Sequence, residues 1–182
     1  YLVANVSIDQ PVQIQTVTTY FSATHPWPLG TIEAILNIVS EDGELPAQAH
    51  DPRGPSQGGE GVVVFSELYA VGPKYAVEAN LLENGIENVL PAGEYWFGLT
   101  PKIDESVGQE YHVASDFFDR NAATRNPGGD LGFGTDWFEA GPVYNGSDWG
   151  MAIRIIGQST PCEFLLGDVN QDGAVNLLDV GP

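Results

Sequence analysis

The sequence predicts an all-β fold, an antiparallel β-sandwich of the jelly-roll or immunoglobulin-like kind, and three observations carry that reading. Apolar residues recur with a period of two in one run after another, the spacing of a strand with one buried face. The 22 glycines and 13 prolines fall mostly between those runs, which suits many short strands joined by tight turns. No long amphipathic helix is visible.

The elements follow in order. Leu2, Ala4, Val6 and Ile8 alternate with smaller or polar residues, Pro11 interrupts, and Val12, Ile14 and Thr16 resume the period. Residues 31–39 leave two readings open. They form a strand, or a short helix, because Ile32, Ile35, Leu36 and Val39 also fit helical spacing. Strand-like runs continue at 61–71, 75–82, 93–99, 111–115 and 151–156. Turn-rich text separates them: Glu41-Asp42-Gly43, residues 51–61, Asn84-Gly85, and Asn126-Pro127-Gly128-Gly129-Asp130. After Gly157 the text turns polar, Gln158-Ser159-Thr160-Pro161. This places a sandwich domain at 1–157, a linker at 158–163 and a separate C-terminal segment at 164–182. No internal repeat is evident.

Charge narrows the partners. Twenty-five acids against six bases give a formal net charge of −19. Such a surface repels nucleic acid and anionic membranes, whose phosphates need Lys and Arg, and it attracts divalent cations. A chain of 182 residues, 42% hydrophobic, is long enough for one medium domain and a small appendage. No stretch approaches the roughly 20 apolar residues that span a bilayer. The one cysteine, Cys162, has no partner within the sequence. It pairs outside it or is a buried free thiol. Opening at Tyr1 without a leader, the sequence reads as a processed mature protein or a trimmed one.

The C-terminal segment carries the most specific motif. Residues 168–179 read Asp-Val-Asn-Gln-Asp-Gly-Ala-Val-Asn-Leu-Leu-Asp. Calcium takes about six to eight oxygens, and a twelve-residue loop wraps them round the ion from alternating positions. Asp168, Asn170 and Asp172 offer side-chain oxygens at the first, third and fifth places. Gly173 takes the sharp turn. Ala174 offers its carbonyl, Asn176 contributes directly or through water, and Asp179 closes the shell. An all-oxygen set selects Ca2+ over zinc. This EF-hand-like loop resembles one repeat of a type I dockerin, including Asp at the twelfth place. Dockerins carry two such repeats and this sequence shows one. The expectation is therefore a calcium clamp on the C-terminal segment rather than cohesin docking.

Two further segments resemble strands of exported bacterial β-sandwich proteins that bear C-terminal sorting or anchoring signals. They are Leu-Pro-Ala-Gly-Glu-Tyr-Trp-Phe-Gly-Leu at 90–99 and Ser-Asp-Trp-Gly-Met-Ala-Ile-Arg-Ile-Ile-Gly at 147–157. The resemblance implies a bacterial protein that is secreted and works at the cell surface.

Candidate chemistry beyond calcium is thin. Asp116 with Asp119, or Asp136 with Glu139, would suit a glycosidase only if held about 5–10 Å apart across a sugar, and solvated surface acids explain them better. His25, His50 and His112 show no metal-ligand spacing. No serine sits in a recognisable nucleophile elbow. The expectation is a protein that is not an enzyme. Trp27, Trp137, Tyr144 and Trp149 lie in loop-like text and are candidates for stacking on sugar rings, against ordinary core packing. Asn5 and Asn145 match the glycosylation sequon. Residues 1–17 either pair within their own sandwich or add as a strand to a neighbour's sheet.

The functional expectation is a non-enzymatic extracellular structural or surface protein, a filament subunit assembling by strand addition from residues 1–17, or one bound to another surface protein. The alternative is a carbohydrate-binding or carbohydrate-active module attached through its dockerin-like repeat. For the loop, Asp168→Ala or Asp172→Ala is expected to abolish calcium binding and loosen residues 164–182. Calorimetric titration checks this, and an unchanged affinity in either variant rules out the calcium assignment.

Overall fold

The computed structural model describes residues 1–47, 61–104, 110–116, 120–126, 136–144 and 149–159. They are almost entirely β. In chain order the strands are β1 (Leu2–Ile8), β2 (Val12–Ala23), β3 (Gly30–Asp42), β4 (Leu45–Pro46), β5 (Val62–Val71), β6 (Lys74–Asn80) and β7 (Val89–Leu90). There follow β8 (Gly93–Pro101), β9 (Glu110–His112), β10 (Ala114–Ser115), β11 (Ala123–Thr124) and β12 (Phe138–Glu139). A single helical turn, α1 (Gly141–Tyr144), precedes β13 (Gly150–Met151) and β14 (Ile153–Ser159). Among the described residues no helix is long and apolar enough to cross a membrane.

The 31–39 ambiguity resolves to a strand. β3 pairs with β8 through residues 34–40 and with β5 through residues 30–36. The expected strand at 111–115 is two short ones, β9 and β10, and the expected end of the sandwich is passed by two residues. Gln158 and Ser159 continue β14 and pair with Gln13 and Val12.

Twelve strands form one sheet, whose main path is β12-β11-β1-β8-β3-β5-β6-β2-β14. Every pairing in it is antiparallel. β10 and β13 make a separate two-stranded ribbon. The β5–β6 hairpin turns on two residues, Gly72-Pro73. Gly72 has φ of 59° and the proline ring fixes a negative φ after it, the combination of a type II′ turn whose twist matches the strands.

The sheet curls until its inner face meets itself, giving a sandwich-like body. Thr19 Oγ1 on β2 donates to the Leu99 carbonyl on β8 at 2.7 Å, in full burial, although four strand-to-strand steps separate those strands. Between the layers lie Val17 and Phe21 from β2, Leu36 from β3, Leu68 from β5, Val77 from β6 and Phe97 from β8. Burial of such side chains contributes about 1.5–3 kcal/mol each.

The β1–β8–β3 part is buried on its outer face as well. Val3, Val39 and Trp96 point away from the main core and pack with Ala123 and Trp137. Two covered faces explain the unbroken run Tyr95-Trp96-Phe97. Gly98 follows it, where β1 leaves β8 to pair with β11. A Cβ there would run into the Leu2 carbonyl and Val3 Cγ1. Gly98→Ala is therefore expected to lower stability by about 1–3 kcal/mol, the range for overpacking. Urea denaturation measures it, and a shift within about 0.5 kcal/mol of wild type, the size of an ordinary surface change, contradicts the close approach.

Candidate functional site

The feature that sets this sheet apart is that, among the described residues, it does not close. Seven strands in the order β1-β8-β3-β5-β6-β2-β14 are each antiparallel to the next, so the first and last point the same way. Among the described residues β14 pairs only with β2, and the second edge of β1 pairs only at Leu2 and Val3, with β11. The two end strands come together at one end, where Leu2 and Ala4 share a cluster with Met151, Trp149 and Ile153. At the other end Ile8, Asp9, Gln10, Val12, Gly157 and Ser159 line an opening of about 640 Å³.

The seam reaches the core. Val6, Ile8, Val12, Ile153 and Ile155 pack on the main cluster but are only half-buried, whereas Val17, Val77, Phe97 and Leu99 in mid-sheet are fully enclosed. A register shift between Ile156 and Gly157 marks a bulge, which bends a strand and sharpens its twist. Glycine is required there, since a Cβ would lie 2.5 Å from Val12 Cγ2 and 3.0 Å from the Gln13 carbonyl oxygen. Among the described residues the seam thus offers two parallel strand edges, that of β14 and that of β1 beyond Val3, without strand partners and flanking half-covered apolar side chains.

The residues singled out from sequence are scattered relative to this seam. Trp27 is 4% exposed, packs on Phe21 and Tyr75 with ring centroids 5.8 and 5.1 Å away, and its backbone N–H donates to Tyr75 Oη. Trp137 is 3% exposed, beneath the Arg125 guanidinium at 5.3 Å. Neither ring leaves a face for a sugar, because both plug the core from connecting segments. Trp149 is half-buried against Leu2 and Met151, and its backbone N–H donates to Asn121 Oδ1. Tyr144 ends α1, with its side chain outside the described set. Asn5 lies in β1, its Nδ2 buried without a hydrogen-bond partner. Asn145 and the calcium ligands Asp168, Asn170, Asp172, Ala174, Asn176 and Asp179 lie outside the described residues. Residues 2–8 pair within their own sheet.

The carboxylates and histidines are equally dispersed. Asp116, Asp136 and Glu139 are exposed, and Asp119 is outside the described residues. Among the described residues no three His, Cys, Asp or Glu side chains converge on a metal position. No protein-family model, curated protein or solved structure matches the chain.

One exposed surface escaped sequence reading. On the outer face of β5, Phe65 is 66% exposed beside a cleft of about 420 Å³ lined by Thr31, Glu67, Glu78, Asn80, Glu83 and Asn84. The available signal was the apolar character of both phases of the 61–71 alternation.

His112 closes the end of the core near Trp27, its ring centroid 4.4 Å from that of Phe21. Burial pushes its pKa down to about 3, against about 6.5 in an unfolded chain. The unfolded state therefore binds the proton first, and stability falls as pH drops through 6.5 towards 3. Between pH 7 and 5, before most carboxylates titrate, the loss amounts to about 2 kcal/mol. Denaturation at those two pH values should show it in wild type and not in His112→Gln; equal losses in both dismiss the assignment.

Proposed function

We propose that this chain is a non-enzymatic extracellular structural domain, a surface or filament subunit that joins copies of itself by β-strand addition. The observation that carries the reading is the unclosed seam. Because β1 and β14 are parallel, one extended strand running antiparallel to both would gain a main-chain ladder on each side. Its alternate side chains would cover Val6, Ile8, Ile153 and Ile155. Residues 2–8 of a second copy carry that alternation in Leu2, Ala4, Val6 and Ile8. A copy that donates residues 2–8 gives up their pairing with its own β8 and with it one border of its seam, so the exchange joins a donor to an acceptor that keeps its β1 in place.

The extracellular setting is supported by the acidic charge, by the resemblance to exported sandwich proteins and by the dockerin-like loop. Sites of that kind in extracellular modules fill at roughly 10⁻⁴–10⁻³ M calcium. Calcium held by Asp168, Asn170, Asp172, Ala174, Asn176 and Asp179 would fix the C-terminal segment that follows β14. It would also offset part of the −19 charge that opposes association of like copies.

Sedimentation velocity of the native chain, with and without calcium and across ionic strength, tests the proposal. Association is expected to grow with protein concentration, salt and calcium. Ile155→Lys, which turns a charge into the seam, is expected to abolish it, whereas Ile156→Lys on the exposed outer face keeps it. Monomers under every condition would falsify the assembly reading.

A further inference from the structure

On β5, residues 64, 66 and 68 turn into the core and 63, 65, 67, 69 and 71 turn outward. A solvated face is expected to be polar, yet Val63, Phe65, Tyr69 and Val71 stand outward and exposed. Phe65 is the most exposed large apolar side chain among the described residues. Its backbone is nonetheless fixed. On one edge it pairs with Glu33 of β3. On the other edge the β5–β6 pairing has ended at Glu67, and the Asn84 side chain takes the place of a strand. Asn84 Oδ1 accepts from the Phe65 N–H at 2.7 Å, and Nδ2 donates to the Phe65 and Asn80 carbonyls at 2.9 and 2.8 Å.

An exposed aromatic ring on a hydrogen-bonded backbone, beside a cleft of hydrogen-bonding groups, matches the needs of a pyranose. The apolar face of the sugar stacks on the ring, and its hydroxyls find carboxylates and amides. Those groups are already oriented. Thr31 Oγ1 donates to Glu67 at 2.6 Å, Thr18 Oγ1 to Glu78 at 2.9 Å, and Asn80 Nδ2 to Glu83 at 3.0 Å. Tyr69 lies four residues along the same face, about 13 Å from Phe65 at strand spacing, and its hydroxyl donates to Glu78 at 3.2 Å. Two rings so spaced span more than one sugar unit. Three glutamates on a chain of charge −19 repel polyanions.

We infer that this face binds an uncharged polysaccharide laid along β5. Phe65 and Tyr69 supply the stacking, and Glu67, Glu78, Asn80 and Glu83 take the hydroxyls. Asn84 acts as a positioning residue. The site lies on strands other than the two that border the seam, so it stands whether or not copies associate.

Calorimetric titration of the native chain with cellohexaose, xylohexaose and mannohexaose tests it, with a galacturonate hexamer as the anionic control. At least one neutral oligosaccharide is expected to bind and the galacturonate hexamer is not. Phe65→Ala, at an exposed position that leaves the fold intact, is expected to weaken binding about tenfold or more. Tyr111→Ala, at an exposed aromatic on β9, is expected to change nothing. The inference is overturned if none of the neutral sugars binds, if Phe65→Ala binds as wild type does, or if the galacturonate hexamer binds as well as the neutral ones. A change in sedimentation of Phe65→Ala without any sugar binding also overturns it, by showing that a protein covers the face.

Discussion

The hydrogen bond from Thr19 Oγ1 to the Leu99 carbonyl joins strands four steps apart in the sheet, and the shape of the molecule follows from the curl it records. Right-handed twist accumulates from strand to strand, and apolar inner faces are driven together because water is expelled between them. Full closure would remove every edge. Here the seven strands from β1 to β14 are antiparallel throughout, so these two point the same way and can meet only as a parallel pair. Their approach at Leu2, Ala4 and Met151 is made through side chains, and it opens progressively towards Gly157.

The same curl divides the sheet energetically. Around β8 both faces are covered, and residues alternate between two cores rather than between core and water. Such a region tolerates little change of volume, as the contact between Gly98 and the Leu2 carbonyl illustrates. It also burdens polar groups. Both polar atoms of the Asn37 side chain, 2% exposed, lack hydrogen-bond partners, a state that costs about 1–3 kcal/mol. Among the described residues the β5–β6–β2 part has only its inner face in the core, and Phe65 and Tyr69 stand exposed on its outer face.

Legibility in the sequence tracked this division. Residues 2–8 and 12–16 read as strands because a covered inner face imposes a period of two. Residues 31–39 read ambiguously because apolar side chains were needed on both faces, so Ile32, Ile35, Leu36 and Val39 fell by chance on helical spacing. The pairs at 45–46, 89–90, 123–124 and 138–139 are too short to show any period. Trp27 and Trp137 left sugar stacking and core packing both open because they sit in connecting text, and only the fold reveals that those connections cap the core. The seam was not legible at all, since it depends on how many strands stand between β1 and β14 and on no local pattern.

Asn84 carries a liability of a chemical rather than mechanical kind. It is followed by Gly85, and an asparagine before glycine is prone to deamidation, because a neighbour without Cβ lets its backbone nitrogen attack the side-chain carbonyl. Loss of ammonia gives a cyclic imide, and its hydrolysis by water would put a carboxylate oxygen in place of Nδ2, facing the carbonyls of Phe65 and Asn80 and replacing two donated hydrogen bonds with two repulsions. The outer face of β5 would then age on its own clock, losing the rigidity of Phe65 while the core beneath it stays folded.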